Sequence, residues 1–134
     1  MKKVSHILNE LRSSTPFFTI READEFIRFL EEGLRGQETY CERRPDGSIG
    51  NALVLVEDNL VEISEANLEY PERSIAMQLR VEDPEACRQQ MIRAGARPVV
   101  EPAGAVEPRR QSVLVDPWGN QWYLSRHTDP YYLA

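Results

Sequence analysis

Lysine is almost missing from this chain. Only Lys2 and Lys3 stand among 16 basic residues, so the other 14 are arginine, a bias that reads as the coding habit of a genome rich in G and C. Cysteine is scarce too. Cys41 and Cys87 are too few for a disulfide scaffold and fit reduced thiols in a cytoplasmic protein. No apolar run approaches the ~18 residues that a membrane span requires, so no membrane partner is expected. A basic patch is also lacking: 22 acidic residues against 16 basic ones leave a net charge of −6, which speaks against nucleic acid as a partner. No Ser-His-Asp order, Cys-His pairing or phosphate-cradling glycine loop occurs. At 134 residues one domain is expected, long enough to bury a core without a metal or disulfide staple.

What is present is a sequence of elements that occurs twice. Val4, Ile7, Leu8 and Leu11 have the spacing of a short amphipathic helix over residues 1–13, too broken to be a secretory signal. Thr15–Ile20 is β-branched and aromatic, hence a strand. Ala23, Phe26, Ile27, Leu30 and Leu34 form one helical stripe, closed by Gly33 and Gly36. Strands are expected over Gln37–Arg44, Ile49–Glu57 and Leu60–Glu65, with turns at Pro45-Asp46-Gly47 and Asp58-Asn59. The second pass runs from a strand at Ser74–Val81 to a helix entered through Asp83-Pro84 and stopped at Gly95. Strands Val99–Val106, Gln111–Val115 and Gln121–Ser125 follow, the last two joined by Asp116-Pro117-Trp118-Gly119-Asn120. Arg80 falls 61 positions after Thr19 (80 − 19 = 61), and the closing hairpins match apart from turn length. The expectation is a single domain over 1–134, with modules at about 14–66 and 74–127 behind the appended helix.

The closing Leu114-Val115-Asp116-Pro117-Trp118-Gly119-Asn120-Gln121-Trp122 resembles the D-P-x-G-N-x-[WFI] hairpin of the vicinal oxygen chelate superfamily, which holds the glyoxalases, bleomycin resistance proteins and extradiol dioxygenases. The resemblance covers about Ser14 to His127. It implies an α+β fold in which two βαβββ modules form a U-shaped mixed-sheet cleft, usually within a homodimer. Enzymes of that family hold one divalent metal with four cleft residues. Carried onto this chain, those positions are Thr15, Glu62, Ala76 and Tyr123, and only Glu62 is a usual donor. No metal and no other cofactor is therefore expected.

Strand alternation assigns two faces. Phe18, Ile20, Val61, Ile63, Met77, Leu79, Val81, Trp122 and Leu124 form the helix-facing set, all apolar. The other face carries Thr15, Phe17, Thr19, Leu60, Glu62, Ser64, Ala76, Gln78, Arg80, Gln121, Tyr123 and Ser125. That mixture of hydroxyls, amides and aromatics suits a ligand surface better than a solvated one. Phe17, Thr19, Gln78, Arg80, Trp118 and Tyr123 are the ligand-binding candidates, and Glu62 is the catalytic one, either a general base or half of an ion pair with Arg80. His6 and His127 match no ligand position. Arg109-Arg110 can grip an anion or simply be solvated, and Tyr131-Tyr132-Leu133 is an apolar tail. The expected function is that of a metal-free small-molecule binder resembling bleomycin resistance proteins, holding a partly aromatic guest for sequestration. The alternative is an isomerase or lyase of the glyoxalase superfamily that uses Glu62 as base or metal ligand.

Overall fold

The computed structural model describes residues 13–99 and 112–126. The helix expected over the first dozen residues, both histidines, Arg109-Arg110 and the aromatic tail lie outside them. The chain divides at Ser74–Ile75 into two compact units, and each is a βαβββ-like module with a four-stranded mixed sheet.

In the first unit, β1 (Phe17–Ile20), β2 (Gln37–Arg43), β3 (Ile49–Val56) and β4 (Asn59–Glu65) form a sheet of order β1-β4-β3-β2. β1 runs parallel to β4, and the other pairs are antiparallel. The helix α1 (Ala23–Leu34) buries the whole expected stripe together with Phe29 and Gly33. Its anchor is Phe26, whose ring centroid lies 4.8 Å from that of Phe18 and 6.3 Å from that of Phe29. Gly33, expected to end the helix, lies inside it. The stop comes at Arg35, whose φ of 55° turns the chain left-handed. Gly36 then donates its N–H to the Leu30 carbonyl at 2.8 Å. A Cβ on Gly36 would come within 3.0 Å of that oxygen and of Val54 Cγ1, so glycine is there for want of room. The β3–β4 turn is Glu57-Asp58, one residue earlier than expected, with Glu57 at φ 55°.

In the second unit, β5 (Ala76–Val81), β6 (Arg97–Pro98), β7 (Ser112–Val115) and β8 (Gln121–Arg126) give the order β5-β8-β7-β6. The helix α2 (Pro84–Arg93) begins as expected, with the Asp83 carboxylate accepting the Ala86 N–H at 3.1 Å. β6 starts at Arg97, two residues before the expected Val99. Most of the expected Val99–Val106 strand lies outside the described residues.

The duplication is visible in the hydrogen-bond register. Phe17 pairs with Glu62 and Thr19 with Ser64; in the second unit Gln78 pairs with Tyr123 and Arg80 with Ser125, each 61 residues later (78 − 17 = 61). One departure has a covalent cause. β5 opens with Ala76 against Gln121, a parallel pairing that uses the Met77 N–H. Pro16 is the counterpart of Met77 and has no N–H to give, so β1 opens two residue pairs later, at Phe17. The turn asparagines diverge with it. Asn120 Oδ1 accepts the Ile75 N–H at 2.9 Å, whereas the buried Oδ1 of its counterpart Asn59 has no partner among the described residues.

The two helix starts also differ. Glu22, the counterpart of Asp83, sits left-handed at φ 58° and makes no side-chain cap. Glu65 takes over from β4, accepting the Glu22 and Ala23 N–H groups at 3.0 and 2.9 Å. Its counterpart in the second unit is Arg126, which cannot accept, and there the local Asp83 does the capping. The Glu22 carboxyl titrates above its ordinary value, mainly through repulsion from Glu25.

Candidate functional site

Two side-chain groups carry the expected site residues, one on each sheet. In the first unit the face away from α1 presents Phe17, Thr19 and Glu62. Phe17 and Glu62 share a rung, and Phe17 is 49% exposed, unusual for a phenylalanine in a strand. Glu62 pairs on its other side with Leu53. Leu53 and Leu60 are buried on this same face, and Tyr40 and Leu55 pack against them. Leu60, expected as part of an open surface, is thus the floor of a second, smaller apolar cluster.

Glu62 is half-buried, and among the described residues its side chain has no hydrogen-bond or ion-pair partner. The nearby polar groups are committed elsewhere. The Tyr40 hydroxyl donates to Glu42 at 2.7 Å. Arg43 turns to the helix side and grips Asp24 with two bonds of 2.7 and 3.1 Å, which holds the Asp24 carboxyl below its ordinary value. Arg44 donates to the Glu65 carbonyl and to Ser48. Cys41 is an exposed free thiol, and partial desolvation first, with the Glu38 carboxylate second, pushes it above the ordinary range. Thr15 lies before β1, two residues short of the Phe17–Glu62 rung.

In the second unit the face away from α2 presents Gln78, Arg80, Gln121 and Tyr123. Gln78 and Tyr123 share a rung, and the Tyr123 hydroxyl donates to Gln121 Oε1 at 2.9 Å. Gln78, Arg80 and Gln121 are exposed, while Ser125 beside Arg80 is fully buried. Ala76, on this face, has no donor atom in its side chain.

Trp118 lies apart from these rungs, half-buried in the turn that opens β8. That turn is a hydrogen-bond hub. The Asp116 carboxylate, 3% exposed, accepts the Trp118 and Asn120 N–H groups on Oδ1 and the Asn120 amide and Trp122 indole on Oδ2, all at 2.9 Å. Asn120 passes the tie on to Ile75, just before β5. The motif that most resembled a family is therefore a structural knot made by the Asp116, Asn120 and Trp122 side chains.

Leu53 and Tyr40 did not stand out as site residues. β3 reads Leu53-Val54-Leu55-Val56, apolar on both faces, so alternation cannot assign a side. The one available signal was the register that places Leu53 opposite Glu62.

No family model matches the chain, and no curated protein matches it. Solved structures do. A gene product from Arabidopsis thaliana superimposes with a TM-score of 0.68 at 13% identity, over 87% of this chain and 99% of that one. The fosfomycin resistance protein FosX from Mesorhizobium loti gives 0.63 at 19%, over 91% and 96%. A variant of FosX from Listeria monocytogenes, complexed with Mn(II) and a dihydroxypropylphosphonic acid, gives 0.65 at 17%, over 92% and 100%. The fold is that of the vicinal oxygen chelate superfamily.

Vicinal oxygen chelate proteins with this likeness include ones crystallised with Mn(II). That corrects the expectation of a cofactor-free protein, because proteins of this fold have been crystallised with Mn(II). The donors described in this chain do not fit such an ion. Glu62 is the one carboxylate among Thr15, Glu62, Ala76 and Tyr123, and among the described residues no group of three His, Cys, Asp or Glu could hold a metal. Nor, among the described residues, is any helix long and apolar enough to cross a membrane.

Proposed function

We propose that this chain is a small-molecule binding protein that takes a partly aromatic organic guest on the sheet faces turned away from the helices, and that it sequesters that guest. The observation that carries this reading is the rung of Phe17 and Glu62: a half-exposed aromatic ring beside a carboxylate that no described residue neutralises. A ring laid on Phe17 removes apolar surface from water and gains stacking energy. Thr19 supplies a hydroxyl one rung on. On the second unit's own sheet face, taken by itself, Gln78, Arg80 and Tyr123 offer an amide, a guanidinium and a phenol to polar groups of a small molecule, with Trp118 at the turn. A cytoplasmic homodimer is part of the same proposal.

Isothermal titration against aromatic antibiotics and metabolites tests it. Saturable heat with at least one compound, weakened severalfold by Phe17→Ala, is the expected result. No heat across the panel, with wild-type folding intact, overturns it.

The unpartnered Glu62 also favours a second reading, an isomerase or lyase in which that carboxylate removes a proton from bound substrate. Turnover that disappears in Glu62→Gln while binding persists would select this reading over sequestration.

A further inference from the structure

Glu62 allows the chemical class of the guest to be narrowed. Its carboxylate stands between Phe17 and Leu53 on neighbouring strands, with Leu60 two residues back on the same face. Those groups flank it without hydrogen-bonding to its side chain. A half-buried carboxylate with no side-chain partner among the described residues is placed to take up a cation. The arginines next to the sheet do not serve: Arg43 is bound to Asp24, and Arg44 to Ser48 and the Glu65 carbonyl. The carboxylate oxygens are not sealed off, because the side chain keeps part of its exposure and Phe17 beside it is open.

We propose that the guest is an organic ammonium with an apolar, ring-bearing body, its cationic head on Glu62 and its ring against Phe17. This rests on the small-molecule reading above and adds the charge of the ligand to it. The ammonium makes charge-assisted hydrogen bonds to a carboxylate that has none among the described residues. Phe17 offers its ring face both to the guest's ring and to the positive head. The net charge of −6 raises the local concentration of cations and lowers that of anions. A neutral guest of the same shape leaves the carboxylate uncompensated, and an anionic one is repelled by it.

The test uses the full chain, labelled with nitrogen-15, and three probes of nearly the same shape: phenethylammonium, phenethyl alcohol and phenylacetate. Phenethylammonium is expected to shift the amides of Phe17, Thr19, Leu60 and Glu62 and to bind roughly tenfold or more tightly than the alcohol. Glu62→Gln is expected to remove that preference while leaving binding of the alcohol in place. If the alcohol or phenylacetate binds the same amides as tightly as phenethylammonium, the ammonium assignment is overturned and the small-molecule reading survives. Should none of the three move an amide on this face, the assignment fails together with its basis there. Stoichiometric Mn(II) that broadens the Glu62 region and displaces the ammonium would also overturn it, by making the carboxylate a metal ligand.

Discussion

Replacing Asp116 with asparagine turns one carboxylate oxygen into an amide nitrogen, in a turn where both oxygens already accept two hydrogen bonds each. Whichever way the new amide faces, two donors meet an NH2 group. If it faces Oδ1's partners, the Trp118 and Asn120 backbone N–H groups lose their acceptor; if it faces Oδ2's, the Asn120 amide and the Trp122 indole do. Trp122 is fully buried, so water cannot replace what it loses. Each buried donor left unpaired costs about 1–3 kcal/mol, partly offset because a buried charge has been removed. The net loss for Asp116→Asn is then about 2–4 kcal/mol. At roughly 3 °C per kcal/mol for a chain of this length, the thermal midpoint should fall by about 6–12 °C. Urea unfolding followed by tryptophan fluorescence measures the loss, and hydrogen exchange of the Trp122 indole localises it. A midpoint within about 1 °C of wild type, with the indole proton still protected, would refute the hub.

Three further outcomes follow from the same geometry. Glu65→Ala should cost about 0.5–2 kcal/mol in chemical denaturation, because it strips the start of α1 of its distant cap; Asp83→Ala should do the same to α2 through a local contact. The Asp24 carboxyl, held low chiefly by its hydrogen bond to Arg43, adds stability that is present above its unfolded pKa and lost as pH falls through the lower folded one. An NMR titration should therefore place the Asp24 midpoint lower in wild type than in Arg43→Ala, and equal midpoints would deny the pairing. Cys41, its thiol pushed up by burial and by Glu38, should react with iodoacetamide more slowly at neutral pH than a free thiol does, and should speed up as pH rises.

The fold was legible because its two signals repeat. The stripe Ala23, Phe26, Ile27, Leu30 and Leu34 has a single helical solution, and the offset of 61 reappears as paired rungs in both sheets. Element ends were less legible in the first unit, since the left-handed positions at Glu22, Arg35 and Glu57 went to residues other than glycine or asparagine, while Gly47, Gly95 and Gly119 took positive φ as turn glycines do. The start of β1 depended on one missing N–H at Pro16, which matters only once the partner strand is known. The site was half legible. Alternation placed Phe17, Thr19 and Glu62 on one face, but it also made Leu60 a surface residue, when Leu53 and Tyr40 cover it from strands that alternation could not orient. The charge environment of Glu62 was out of reach, because it turns on where Arg43 and Arg44 point. The absence of family ligands suggested a protein without a metal, yet other proteins of this fold carry Mn(II).

A crystal of the full chain grown with the tightest-binding aromatic compound tests the central claim most directly. The account predicts density for that compound against the Phe17 ring and the Glu62 carboxylate, on the face of the first sheet turned away from α1. Density confined to helix surfaces, or an unchanged Phe17–Glu62 rung in crystals soaked to saturation, would contradict it.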